Sequence, residues 1–121
     1  MNFSDRLEAL RRSLPLPCQV EGRLGALVEH CCEIEFASGA VVIDIGQLCH
    51  ERFCVVHGRA DIVDRSGGRL VVTAGCYIDP TGSNGDETSL VRVRVLERAV
   101  VLAIPAWLLP PRNRDFPDVP G

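Results

Sequence analysis

"FASGAVVIDIGQLCHERFCVVHGRADIVDRSGGRLVVTAGCYID", residues 36–79, decides the fold. Short apolar runs rich in Val and Ile ("VVIDI", "FCVV", "ADIV", "LVV") alternate with turn signals ("ASGA", "DIGQ", "HGR", "RSGGR", "TAGC"). A side-chain period near two, broken by glycine-bearing turns, is the signature of short antiparallel strands. The pattern starts earlier, in "EIEF" from Glu33, and continues beyond, in "LVRVRVL" (90–96) and "VVLAI" (100–104). Seven or so such strands predict a β-sandwich, jelly roll or small barrel. "DPTGSNGDETS" (79–89) reads as a mobile loop, lacking the spaced acids and terminal glutamate of a calcium site.

Upstream, the period changes to that of a helix. Phe3, Leu7, Leu10 and Leu14 form one apolar stripe, with Ser4 as the expected N-cap and Asp5 in the first turn. "LPLP" (14–17) ends it, because proline removes a donor and clashes with the preceding turn. A second helix is expected over Glu21–Cys31, with Leu24, Leu27, Val28 and Cys31 on one face, although Gly22 and Gly25 disfavour it. The chain therefore reads as a mainly β domain over residues 1–109: helices within about 4–31, a β-roll over about 32–109, and a Pro-rich flexible tail at 110–121.

The totals narrow the function. A chain of 121 residues that is 46% hydrophobic and 24% charged is one ordinary globular domain. A net charge of −3 argues against nucleic acid as a partner. No apolar run reaches the roughly 18 residues of a membrane span, and "MNFSDRLEALRR" is not a secretion signal, so a cytoplasmic protein is expected. Six cysteines in that compartment are expected as thiols, mostly in the core.

The order of turns resembles the cyclic-nucleotide-binding domain family, including the effector domains of Crp/Fnr-type regulators. Gly39 and Gly46 stand at the spacing of the first hairpin, "FCVVHG" looks like the strand ending in glycine (Gly58), and "DRSGGR" looks like the next hairpin turn. "AGCYI" looks like the step from a glycine (Gly75) to an aromatic, and "VRVLERAVVLAIPAWLL" looks like the last two strands and the start of the following helix. The resemblance covers about residues 14–109 and implies a β-roll of the cyclic-nucleotide-binding type. It also implies a phosphate cassette: Gly-Glu, a short helix, then an arginine and a small residue, the acid taking the ribose and the arginine the phosphate. This sequence departs there. Asp79-Pro80 stands at the Gly-Glu position and Thr88-Ser89 where the arginine belongs, so cyclic AMP and cyclic GMP are not expected as ligands. The DNA-reading part of the regulators is also missing from this stretch, since prolines 110 and 111 cannot continue a helix interior.

The remaining chemistry is thin. In "CHERFCVVHG" (49–58) an extended strand puts Cys54 and Val56 on one face and Phe53, Val55 and His57 on the other, so Cys54 and His57 cannot share a metal. Cys49 and His50 precede the strand but fall short of the four ligands of a structural zinc, and no metal or other cofactor is expected. In "HCC" (30–32) one cysteine is expected in the core and the other exposed. Arg92 and Arg94 share one strand face, either as a solvated face balanced by nearby acids or as an anion-binding pair with Thr88 and Ser89 as further donors. No nucleophile–base set or close carboxylate pair emerges, and an enzyme is not expected. The expectation is a non-catalytic regulatory or protein-interaction module, with Trp107 and Phe116 as partner contacts. The alternative is a small-ligand, redox or metal sensor using a rebuilt pocket or its Cys and His residues.

Overall fold

The computed structural model of the protein describes residues 1–15, 18–19, 23–81 and 87–109. In chain order these form α1 (Phe3–Ser13), α2 (Arg23–His30), β1 (Cys32–Phe36), β2 (Val41–Ile43), β3 (Glu51–Asp64), β4 (Arg69–Thr73), β5 (Tyr77–Ile78) and β6 (Val91–Pro105), then a 3-10 turn at Ala106–Leu108. The N-cap of α1 is Asn2, not Ser4: the Asn2 side chain accepts from the Asp5 backbone N–H at 2.8 Å. Leu10 and Leu14 are buried and Leu7 packs beside them, while Phe3 at the start of the stripe stays exposed. The described part of the second helix starts at Arg23, since Glu21 and Gly22 lie outside the described residues.

The strand count differs from expectation in an informative way. "FCVV" and "ADIV" are two parts of one strand, β3, and "LVRVRVL" and "VVLAI" are two parts of β6. The two run antiparallel from Glu51 opposite Pro105 to Asp64 opposite Val91, with register shifts around His57 and Arg59. Gly58 does not turn the chain here; it lets two backbones close. Its φ is 92°, and a Cβ placed on it would lie 2.5 Å from the Arg98 carbonyl oxygen and 2.8 Å from Ala99 Cα. The ladder therefore continues through a bulge that bends the ribbon and shifts the side-chain alternation, leaving His57 exposed.

The other strands flank this ribbon. β1 and β2 both pair with β6, against its C-terminal and N-terminal halves respectively. On the far side β5 pairs with the start of β3 and β4 with its end. All the pairings are antiparallel.

Two apolar cores lie on opposite faces of the ribbon. Leu102, Ile104 and Cys54 pack under the helices with Leu10, Leu27 and Val28. Val101, Ala103, Phe53 and Val55 point into the roll with Ile78 and Val93. The halves of β3 and β6 beneath the helices are buried on both faces, which is why they read as unbroken apolar runs. The N-terminal half of β6 is covered on one face only, so Val93 and Val95 are buried while Arg92 and Arg94 are exposed.

Candidate functional site

The segment that the resemblance assigns to the cassette begins right after β5. Antiparallel pairing of Phe53 with Ile78 carries Arg52 to a place opposite Asp79, one step beyond the strand. Arg52 Nε lies 3.0 Å from Asp79 Oδ1, with both side chains only 16% exposed. The same oxygen accepts from the Thr81 backbone N–H at 3.1 Å and the Thr81 hydroxyl at 2.8 Å. Asp79 is thus engaged by its own neighbourhood, and Pro80 and Thr81 beside it are buried.

Residues 82–86 lie outside the described residues. The chain is described again at Glu87, where it runs alongside Gly46–Cys49. The Gly46 N–H donates to the Ser89 carbonyl at 2.8 Å, the Ser89 N–H to Gln47 at 2.8 Å, and the Cys49 N–H to Glu87 at 2.7 Å. Thr88 forms a β-bridge with Leu48, and the Leu90 N–H donates to the Pro80 carbonyl at 2.8 Å, tying the two ends of the loop. His50 Nδ1 stands 3.0 Å from Glu87 Oε1 in an exposed pair.

The expected ligand set is placed apart. Ser89 is 1% exposed and its hydroxyl donates to the Val91 carbonyl at 2.6 Å, while Arg92 and Arg94 project from the outer face of β6. Cys49 sits in a loop yet is buried; its thiol donates to the Glu51 carbonyl at 3.1 Å, and desolvation pushes its pKa up. Among the described residues no group of three or more His, Cys, Asp and Glu side chains is arranged to hold a metal. Cys31, just after α2, is buried, and Cys32, the first residue of β1, is exposed. Phe116 lies outside the described residues.

Two spaces matter. The roll interior between Val42, Phe53, Val55, Ile78, Val93 and Val101 encloses about 10 Å³. That is room for at most one water, and small-molecule sites measure roughly 300–1,000 Å³. Outside, a groove of about 530 Å³ runs along the β1–β2 edge. Ile43, Cys49 and Phe53 line it from the interior core, and Gln47, His50 and Glu51 add polar groups. At its rim Leu48 and Trp107 are 68% and 73% exposed, and the Trp107 ring meets His30 edge-on with centroids 5.8 Å apart.

No protein-family model matches the sequence, and no curated protein does. Solved structures do match. A candidate cyclic-nucleotide-binding protein from Ruegeria pomeroyi superposes with a TM-score of 0.73 at 17% identity, over 88% of this chain and 49% of that one. The regulatory domain of Toxoplasma gondii protein kinase A, solved with cAMP, gives a TM-score of 0.74 at 14% identity, over 88% and 42%. The fold is the cyclic-nucleotide-binding fold. A third match with this fold is the regulatory subunit of a cAMP-independent protein kinase A from Trypanosoma brucei: TM-score 0.69, 14% identity, 87% of this chain and 39% of that one. That subunit was solved with cAMP in its A site as a variant with three substitutions: glutamate to alanine, threonine to arginine and valine to alanine. This chain spans about half the length of the first of these structures, or less for the others.

The sequence reading named Asp79-Pro80 and Thr88-Ser89 as departures from the pattern that the resemblance implies, and it missed the contacts these residues make. Arg52 has no motif of its own, and only the β3–β5 register brings it to Asp79. The strand of contacts from Gly46 to Cys49 that holds Thr88 and Ser89 was equally unreadable, because it consists of backbone hydrogen bonds.

Proposed function

We propose that this chain is a non-catalytic regulatory module that keeps the cyclic-nucleotide-binding fold, has given up the cyclic nucleotide, and works through a protein partner. The observation that supports this reading is the small space among the described residues of the roll, about 10 Å³ between apolar side chains, whereas small-molecule sites measure roughly 300–1,000 Å³. The polar groups support it. Asp79 is engaged by Arg52 and Thr81, and the Ser89 hydroxyl by Val91. Loss of two charge-assisted contacts of about 1.5–3 kcal/mol each lowers affinity by roughly two to four orders of magnitude. The Trypanosoma brucei subunit, cAMP-independent and solved with cAMP when a threonine is replaced by arginine, is a parallel for Thr88 at the arginine position. Native mass spectrometry of the purified chain, with and without added cAMP, tests the reading. The bare chain mass is expected in both spectra, and a nucleotide adduct would refute it.

A second reading has its own observation. The groove beneath Trp107 has the volume of a small-molecule site, and its apolar floor and few polar groups suit one. On this reading the module senses a small ligand there, and the same spectra would show a co-purified molecule other than a cyclic nucleotide.

A further inference from the structure

The strand arginines are unequally paired. Arg52 faces Asp79, Arg59 faces Glu97, Arg69 faces Asp61 and Arg98 faces Glu35. Arg92 and Arg94 are both exposed, and neither forms an ion pair among the described residues.

The register shows what surrounds them. Arg94 lies across from Asp61 on β3 and Val41 on β2, and Asp61 across from Val71 on β4. In the next row Val63 stands between Arg92 on β6 and Arg69 on β4. The outer face of β2, β6, β3 and β4 thus presents Arg69, Arg92 and Arg94 among Val41, Val63 and Val71. Among the described residues, two carboxylates adjoin them: Glu97 is held by Arg59, and Asp61 is 6% exposed, with Arg69 Nε 3.0 Å from its Oδ1 without aiming its N–H there. Asp64, at the end of β3, spends its carboxylate on the turn, accepting from Ser66 and the Gly68 N–H.

An acidic chain, at net −3, therefore carries a cationic, partly apolar sheet face. The chain has no lysine; its cations are arginines, favoured at protein interfaces because the planar fork holds a carboxylate through two hydrogen bonds and the stem packs on apolar surface. Alternate residues of a strand are about 7 Å apart, so Arg92 and Arg94 match alternate side chains of an extended partner.

We infer that this face is a docking surface for an acidic protein segment in extended conformation, its alternate carboxylates turned toward the sheet to meet Arg92 and Arg94. The inference rests on the partner-binding reading above and places its contact on the sheet rather than at Trp107 or the tail. Complementary charge favours such a partner, and its binding weakens as salt screens the pairs.

The test is fluorescence anisotropy with the full chain and a labelled peptide of alternating glutamate and valine, beside a lysine–valine peptide and a single-stranded oligonucleotide. The acidic peptide is expected to bind at low salt and to weaken as salt is added. Arg92→Glu/Arg94→Glu should lower its affinity by about tenfold or more, and Arg11→Glu/Arg12→Glu on α1 should leave it unchanged. Circular dichroism checks that both variants are folded. No binding of the acidic peptide, equal loss in both variants, or tighter binding of the oligonucleotide would overturn the inference. The nucleotide question is read separately by mass, so failure here leaves that answer standing.

Discussion

Arg52 Nε is 3.0 Å from Asp79 Oδ1, a largely buried charge pair at the position where the resemblance implies a ligand-binding acid. At 16% exposure the pair is poorly solvated, so removing one partner leaves a charge that water only partly recovers. Arg52→Ala should lower stability by about 2 kcal/mol, below the value for a fully buried pair because of the residual exposure. In a double-mutant cycle with Asp79→Ala, read from urea unfolding, the losses should be clearly less than additive. Additive losses would mean that the two side chains do not hold one another.

The bend of the β3–β6 ribbon makes a paired forecast for two glycines. Gly58→Ala puts a Cβ 2.5 Å from the Arg98 carbonyl in a backbone with φ of 92°, and should cost about 3 kcal/mol or more. Gly25→Ala sits in α2 with nothing within 4 Å of the new atom, and should stabilise by about 0.5–1 kcal/mol. Thermal midpoints moving in opposite directions would bear this out; a harmless Gly58→Ala would show that the two strands are not closed there.

The thiols set an alkaline limit. Burial pushes Cys54 up from 9.0 to about 12, only partly countered by a hydrogen bond with Ser13. Between those values the folded chain keeps a proton that the unfolded chain has lost. The contribution is therefore complete below pH 9 and disappears as pH rises toward 12. Three pH units at about 1.4 kcal/mol each put its upper limit at roughly 4 kcal/mol. Urea midpoints should fall across this range, and less steeply in Cys54→Ala. Near neutral pH an alkylating reagent should reach exposed Cys32 well before buried Cys49 or Cys54.

The fold was legible where side-chain pattern and glycines carry it. The apolar runs marked the strands, and Gly39, Gly46, Gly58, Gly67 and Gly75 all take positive φ in the structure. Continuity was not legible, because "HGR" has the residues of a turn, and only the close approach to Arg98 and Ala99 shows that the strand runs through it. At the site, the absence of the expected Glu and Arg could be read directly. Their replacements could not: the Arg52–Asp79 pair depends on register, and the burial of Cys49 and of the Ser89 hydroxyl depends on a loop laid against another loop.

Restoring the arginine alone should not restore a ligand. Thr88→Arg/Ser89→Ala supplies the cation and small residue implied by the resemblance, but leaves the apolar interior at about 10 Å³. Ser89→Ala also removes the hydroxyl bonded to Val91, costing about 1 kcal/mol. The expected result is a folded, slightly weaker protein with no Tm gain from cAMP. A clear gain would mean that the interior opens readily and that the missing arginine was the main obstacle.

The most direct test is calorimetric titration of the unaltered chain with cAMP and with cGMP. With so little space in the roll and an engaged Asp79, no binding should register at micromolar nucleotide. A saturable isotherm with a micromolar dissociation constant for either nucleotide would contradict the account.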